Sequence, residues 1–344
     1  MLRNQYLPRT KNQAPRITSH SSPSSFSILH SSMLTVEPLF GLCNRMQALS
    51  SVLSLAEDLK QPVTVIWSLN PELNCRFDAL FEIPQAVVEL RQTRRERWRY
   101  YTGPSISIGT PESNDPNFLK NLPGSRWFFD QTQPVTRENL IYRCLAPARY
   151  LNKLLFYHYG FDRVVYEFEV SNLLWKKFDF RTLASYPTMY FRAWQFFHSS
   201  GSSPAAQFRL IAELRDRVAS ETVHFSDYTV GLHIRRTDHV RAIANSTTEK
   251  FIAAIQAEID QHPSACFFLA TDSPEEEATL RRLFPDRILT YQKRTLDRNS
   301  PEGIQDAVVD LYCLARTQKI LGSIGSSFSH TASRLGECPL KMVN

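Results

Sequence analysis

The chain has 344 residues, of which 42% are hydrophobic and 22% are charged, values usual for a globular protein of one large domain or two. Its apolar runs, such as Val63–Trp67, are far too short to cross a membrane. The six cysteines are scattered and include no C-x-x-C pair, which argues against a zinc site and against a disulfide framework. A reducing, cytoplasmic environment is the simplest interpretation.

The net charge of +6 comes largely from residues 1–32, which hold four basic residues and no acidic one. Without those four charges the net charge is +2, too little to indicate a nucleic acid-binding protein. The segment is rich in Ser, Pro, Asn and Gln and is predicted to be a disordered extension. Its composition also fits a transit peptide. We favour the simpler interpretation that Met33 is the true start.

The residues after this extension predict a strand, a tight loop, a helix and a second strand. Leu34–Val36 is the first strand, Gly41 lies in the loop, and Asn44 is a suitable N-cap for the helix. Apolar residues then recur at helical spacing as far as Leu59, and Val63–Trp67 forms a buried strand. This βαβ opening predicts a parallel sheet.

The rest of the chain divides into an irregular part and a regular part. Residues 70–195 are broken by many prolines, and residues 198–205 form a loop or linker before a helix at 207–219. From residue 226 strands and helices alternate, as in a doubly wound α/β domain. The predicted strands are Tyr228–Ile234, Cys266–Ala270, Ile288–Tyr291 and Lys319–Leu321, and the predicted helices are Thr248–Asp260, Pro274–Phe284, Pro301–Thr317 and Ser327–Leu335.

Polar clusters follow three of these strands, at 233–238, 271–272 and 323–329. Ligands of open α/β sheets bind beyond the carboxyl ends of the strands. In the first cluster, strand alternation places His233 and Arg235 on one face and Arg236 on the other. We therefore expect Arg235 to hold an anion such as phosphate, and Arg236 to pair with a carboxylate or fix the loop. The alternative is a pair of arginines in ordinary salt bridges.

The other two clusters each allow a binding role and a capping role. Ser326 and Ser327 lie at a predicted helix N-terminus, which favours an anion, although serine is also a common N-cap. Asp272 can accept hydrogen bonds from a base or a ribose, or it can cap the helix at Pro274. The chain has no dinucleotide-binding, P-loop, zinc-protease or serine-hydrolase motif. A nucleotide sugar fits the remaining pattern.

The same residues carry a resemblance to a known superfamily. "GLHIRRTD" at 231–238 resembles the H-x-R-R-x-D motif of GDP-fucose-dependent fucosyltransferases of the rhizobial nodulation and core α1,6 type. "FLATD" at 268–272 and "GSIGSSFS" at 322–329 resemble their second and third motifs. "GLCNRMQALSS" at 41–51 resembles the loop and helix that open related bacterial sequences.

The resemblance implies a GT-B fold, in which two Rossmann-like domains face each other across a cleft. The implied division is a 33–197 acceptor-side domain, a 198–225 linker and helix, and a 226–344 domain that binds GDP-fucose. Arg235 would hold the β-phosphate, and His233 and Asp272 would contact guanine. Further phosphate contacts would come from Ser327 and Ser326, and the loop facing the cleft would hold Gly41, Asn44 and Arg45.

The resemblance also implies inverting, metal-independent transfer, in which Arg235 stabilises the GDP leaving group. Such a transfer needs a base near the acceptor hydroxyl. The glutamate of the core enzyme is replaced here by Ile243, and Cys43 replaces a glycine of the opening loop. Asp238 is the nearest carboxylate in sequence, although it could instead pair with Arg236. The base could also come from the middle of the chain.

A basic and aromatic segment stands apart from these motifs. It holds five arginines within nine residues: Arg91, Arg94, Arg95, Arg97 and Arg99. Such a segment can bind nucleic acid, an anionic membrane surface or an acidic glycan, or it can be the solvated face of a basic helix. If this segment is functional, we favour contact with the acceptor or with a membrane surface.

The sequence therefore predicts a fucosyltransferase that transfers L-fucose from GDP-fucose to a glycan hydroxyl. Three alternatives stay open. The chain could bind a nucleotide sugar without catalysis, as the replacement by Ile243 would permit. It could use another GDP-sugar, or it could bind nucleic acid through the 91–99 segment.

Overall fold

A computed structural model describes residues 32–94, 161–237, 240–297 and 299–344. These residues form two sheets of five parallel strands, each flanked by helices. Nearly all of the predicted extension 1–32 lies outside the described residues, as do Arg95, Arg97, Arg99 and Asp238. In the part of the chain that is described, no helix is both long enough and apolar enough to span a bilayer.

The first sheet has the strand order β3-β2-β1-β5-β4. Its strands are β1 Met33–Pro38, β2 Val63–Leu69, β3 Val87–Arg94, β4 Arg163–Val165 and β5 Thr188–Ala193. Its helices are α1 Leu42–Leu59 and α2 Glu167–Trp175, with short 3-10 helices at Phe77–Ala79 and Phe180–Ser185. The predicted βαβ opening is confirmed, since β1 pairs with β2 in parallel.

Two helices, α3 Pro204–Gln207 and α4 Ala212–Thr222, connect the first sheet to the second. The second sheet has the order β10-β9-β6-β7-β8. Its strands are β6 Thr229–Ile234, β7 Cys266–Thr271, β8 Ile288–Leu289, β9 Lys319–Ser323 and β10 Leu340–Val343. Its helices are α5 Val240–Asn245, α6 Thr248–Gln261, α7 Pro274–Leu283, α8 Pro301–Leu314 and α9 Ser327–Gly336.

The end of β9 is shaped by two glycines. A Cβ atom on Gly322 would lie 2.4 Å from the Oγ atom of Ser329, so only glycine lets α9 pack this closely on the strand. Gly325 has a φ of 72°, a backbone conformation that side chains disfavour. Both glycines therefore serve to turn the chain sharply from β9 into α9.

Helices α1 and α9 pack against each other and join the two halves of the molecule. Gln47, in the second turn of α1, donates from Nε2 to the Ser327 carbonyl at 3.3 Å and to Thr331 Oγ1 at 3.1 Å. Farther along α1, Ser54 lines the same shallow cleft as Arg334 in the last turn of α9. The two helices therefore run in the same direction, and both begin at the carboxyl edge of their own sheet.

The predicted N-cap of α1 is wrong. The helix begins at Leu42, and its N-cap is Gly41, with no side-chain capping bond. Asn44 consequently lies inside the first turn. The predicted helix at 207–219 also begins later, at Ala212, because the separate short helix α3 precedes it. Ser203 caps α3 by accepting a hydrogen bond from the backbone N–H of Ala205.

Arg45 is fully buried and fixes the loop between β1 and α1. Its guanidinium donates to the carbonyls of Phe40 and Ser68 and to Asn70 Oδ1, and it lies 5.2 Å from the ring centroid of Trp67. Phe40 has a φ of 65°, in the left-handed region that is uncommon for a residue with a large side chain. The bond from Arg45 to its carbonyl holds it in this conformation.

We predict that Arg45→Met destabilises the fold by about 3 kcal/mol, because two buried carbonyls would lose their donor. Urea unfolding measures the change. Arg76→Met is the matched control, since Arg76 pairs with Asp78 on the surface and its side chain is 58% exposed. We expect the control to leave stability nearly unchanged, because an exposed ion pair contributes little. Equal effects of the two substitutions would contradict the structural role of Arg45.

Candidate functional site

The three polar clusters meet at one edge of the second sheet, because β9, β6 and β7 are neighbours and parallel. Hydrogen bonds tie the cluster after β9 to the cluster after β6. Ser323 Oγ accepts from the backbone N–H of Arg235 at 3.1 Å and donates to the carbonyl of His233 at 3.2 Å. The Nδ1 atom of His233 lies 2.7 Å from Ser329 Oγ. The backbone that presents Arg235 is therefore fixed by its neighbouring strand.

The imidazole of His233 is held on two sides. Besides its bond to Ser329, it stacks on the ring of Phe328 with a centroid distance of 4.7 Å and an interplanar angle of 20°. The residue is only 7% exposed. Its ring plane is therefore set by α9, and a planar ligand group at this edge would meet a pre-oriented ring.

Arg236 stabilises the loop after β6, which is one of the two roles that the sequence predicted for it. Its side chain is 14% exposed and forms an ion pair with the carboxylate of Glu276 in α7. It also donates to the Ser246 carbonyl at 2.8 Å and to Thr248 Oγ1 at 3.4 Å. This residue therefore links the ends of β6 and β7 to the start of α6. Its neighbour Arg235 is half-buried at the edge of the sheet.

Asp272 organises the same loop from the end of β7. Its carboxylate accepts from the backbone N–H of Arg236 at 2.7 Å and from the hydroxyl of Thr237 at 2.7 Å. The alternative that Asp272 caps α7 is wrong, because Ser273 is the N-cap and accepts from the N–H of Glu276. Contact between Asp272 and a nucleotide stays a prediction.

Ser326 caps α9, which confirms the capping alternative for this residue. Its Oγ accepts from the N–H of Phe328 at 3.3 Å, and the residue is 1% exposed. Ser327 is half-buried at the first position of the helix, and its carbonyl accepts from Gln47. The predicted phosphate contacts of Ser326 and Ser327 are not tested by this geometry and stay predictions.

The loop that was expected to face a cleft divides into two parts. Gly41 has open space above it, since the nearest atom to an added Cβ would be the Glu72 carbonyl oxygen at 4.0 Å. Asn44 is half-buried in the first turn of α1. Arg45 is 0% exposed, so its expected position facing the cleft is corrected to a buried, structural one. Because α1 and α9 run in the same direction, Gly41 and Asn44 lie toward the same end of the molecule as Ser326 and Ser327.

The candidates for a general base are only partly described. Asp238 lies outside the described residues, and Ile243, at the position of the core enzyme's glutamate, is 41% exposed on α5. Partial burial, and secondly the charge of Arg334, lower the pKa of the His330 imidazole, so this ring is neutral at pH 7. His330 lies in the first turn of α9, and the sequence pattern did not single it out.

The described part of the arginine segment is a strand. Arg91 and Arg94 belong to β3, so the alternative of a basic helix face is wrong for this part. Arg91 donates to the exposed carboxylate of Glu89 at 2.6 Å. Contact of the segment with an acceptor or a membrane surface stays a prediction.

Sequence reasoning missed the residues that position the site. These are short polar residues and one carboxylate placed just after strands or at helix starts: Ser246, Glu276, Ser323 and Ser329. Ser323 and Ser329 lie within the third cluster, so their residue type and place after a strand were a usable signal. Ser246 and Glu276 lie 10 and 40 residues from Arg236 in sequence, and nothing local indicated their contacts with it.

Comparison with known proteins adds a likeness of fold. No protein-family model and no curated protein sequence matches the chain. A crystal structure of NodZ alpha-1,6-fucosyltransferase co-crystallised with GDP is 18% identical, with a TM-score of 0.51 over 89% of this chain and 92% of that chain. The structure of fucosyltransferase NodZ from Bradyrhizobium gives the same identity and TM-score over 89% and 93%.

POFUT1 in complex with GDP-fucose is 12% identical to this chain, with a TM-score of 0.47 over 92% of this chain and 99% of that chain. At such low sequence identities the comparison shows a shared fold alone. The TM-scores to these two NodZ structures are above 0.5. The prediction of two Rossmann-like sheets is confirmed, and the chain has the GT-B fold found in the NodZ fucosyltransferase.

Proposed function

We propose that the protein is a glycosyltransferase that transfers L-fucose from GDP-fucose to a hydroxyl group of a glycan. The observation that carries the proposal is the convergence of His233, Arg235 and the N-terminus of α9 at one sheet edge. A guanidinium and a helix N-terminus both favour phosphate, and a buried, oriented imidazole suits a planar base. The fold is one in which NodZ has been crystallised with GDP.

In this proposal Arg235 faces the β-phosphate of the donor. When the bond between fucose C1 and the phosphate oxygen breaks, negative charge builds on the diphosphate. A fixed guanidinium can stabilise that charge without a metal ion, because its donors match the phosphate oxygens. Ser323 supports this role by holding the backbone N–H of Arg235. Transfer is therefore proposed to be metal-independent.

Inversion requires the acceptor oxygen to attack C1 from the face opposite the diphosphate. A base must take the proton of that hydroxyl as the new bond forms. Asp238 is our candidate because it is the nearest carboxylate in sequence to Arg235 and Arg236.

The first test is calorimetric titration of the full chain with GDP, GDP-fucose and GDP-mannose in the presence of EDTA. We expect GDP to bind, and GDP-fucose to bind more tightly than GDP-mannose. We expect Arg235→Ala to weaken GDP binding by about 30-fold or more, since a charge-assisted contact is lost. Tighter binding of GDP-mannose would indicate a different donor. Unchanged GDP binding by Arg235→Ala would refute the site, and a requirement for a divalent ion would refute metal independence.

The neighbouring arginine provides the matched comparison. Arg236→Ala leaves the buried carboxylate of Glu276 without its partner, and Glu276 is only 7% exposed. We expect a loss of about 3 kcal/mol in the free energy of unfolding, measured by urea denaturation. Arg281→Ala, which breaks an exposed pair with Glu277 on the same helix, should cost less than about 0.5 kcal/mol. Normal stability of Arg236→Ala with loss of GDP binding would mean that Arg236 contacts the ligand directly.

A further inference from the structure

An aromatic pair lies at the carboxyl edge of the first sheet. The rings of Phe40 and Trp194 meet edge to face, with a centroid distance of 5.9 Å and an interplanar angle of 62°. Phe40 follows β1 and Trp194 follows β5, and the N–H of Leu39 donates to the Ala193 carbonyl at 2.9 Å, which brings the two chain segments together. Trp194 is 36% exposed although Ala193 beside it is fully buried.

The backbone that carries this pair is held in an unusual and fixed conformation. Phe40 has a φ of 65°, and the buried Arg45 donates to its carbonyl at 2.6 Å. Below the pair, Glu37 and Arg192 occupy partner positions in β1 and β5, and both side chains are 1% exposed. Backbone strain of this kind persists where the surrounding structure enforces it, commonly at ligand sites. Nothing in the local backbone requires a large ring at position 40, since glycine would adopt this φ more readily.

The pair lies at the same end of the molecule as the proposed donor site. Phe40 immediately precedes the N-terminus of α1, and α1 begins at the same end of the molecule as α9. Ser327 and the residues that hold His233 lie at that end of α9. Trp194, which is 36% exposed, therefore lies at the end of the molecule to which the proposed function assigns the donor.

We propose that Phe40 and Trp194 form a stacking platform for a pyranose ring of the acceptor glycan. This inference rests on the proposed function. A pyranose presents one face of C–H groups, and a partly exposed aromatic ring on a rigid support buries that face without needing a charge. The acceptor class that such a platform suits is a neutral oligosaccharide, bound through the apolar face of one sugar. Phe40 fixes the Trp194 ring by its edge-to-face contact and extends the apolar surface.

The test uses the full chain and three neutral probes: chitotetraose, lacto-N-tetraose and mannotetraose. Saturation-transfer NMR and fluorescence titration measure binding of each probe. We expect at least one probe to bind the unmodified protein, and Trp194→Ala to weaken that binding about tenfold or more. Phe40→Gly, which removes the second ring but suits the positive φ, should also weaken it. Trp175→Ala is the matched control, because Trp175 is 88% exposed on α2 and should not affect binding.

The outcomes separate this inference from the proposed function. Failure of all three probes to bind, or equal binding by Trp194→Ala, would overturn the platform. A loss of probe binding in Trp175→Ala as large as in Trp194→Ala would also overturn it and would indicate α2 as the sugar-binding surface. GDP titration of the unmodified protein tests the donor site independently, so a failure there counts against the proposed function and not against the platform. Thermal melting of each variant excludes unfolding as the cause of a loss.

Discussion

The packing of α1 against α9 is the constraint on which the rest of the structure depends. Each helix leaves the carboxyl edge of its own sheet, and Gln47 joins them through the backbone and side chain of α9. A continuous apolar core supports this contact, with Leu49 of α1 and Ala332 of α9 both fully buried in it. Because the helices run in the same direction, the carboxyl edges of both sheets come to the same end of the molecule. A site built from two Rossmann-like halves requires this arrangement.

Each half then uses one arginine to shape the loop at its edge, fully buried in the first half and 14% exposed in the second. Arg45 forms hydrogen bonds with the loop between β1 and α1 and with the residue that follows β2. Arg236, just after β6, forms hydrogen bonds with Glu276, which follows β7, and with the residues before α6. Both side chains donate to backbone carbonyls that a polar loop would otherwise leave unsatisfied. Each also stands next to a residue proposed to meet a ligand, Phe40 in one case and Arg235 in the other. The buried arginine positions the loop, and the neighbouring residue is presented at the edge.

The sequence predicted the second sheet better than the first. Strands β6, β7 and β9 are continuous apolar runs between clear helices, and their order of appearance already placed three polar clusters at one edge. Successive side chains along β6 alternate between the two faces of the sheet, and this alternation predicted different roles for Arg235 and Arg236. Strands β3, β4 and β5 were missed, because prolines and arginines surround them and β4 has only three residues.

Local sequence patterns could not predict which polar side chains are buried in contacts distant in sequence. Arg45 belongs to a motif-like loop, and its complete burial follows from contacts with Ser68 and Asn70, which lie 23 and 25 residues away in sequence. The same holds for Asp272, whose partners are the backbone N–H of Arg236 and the hydroxyl of Thr237, which lie 36 and 35 residues earlier. A capping role was a reasonable local hypothesis for Asp272. It was wrong because Ser273 caps α7. The Asp272 carboxylate instead binds the loop that follows the neighbouring strand β6.

Under the proposed function, a diphosphate binds at this end of the molecule. The helices α1 and α9 both begin at this end, and a helix N-terminus carries a partial positive charge that favours an anion. Glu276 forms an ion pair with Arg236, and Ser323 fixes the backbone of Arg235 at the sheet edge beside α9. An anion with two phosphate groups can meet a guanidinium and a helix end at once, which a single carboxylate cannot. Under the proposed function, the diphosphate of a nucleoside diphosphate sugar would contact groups from both halves of the molecule.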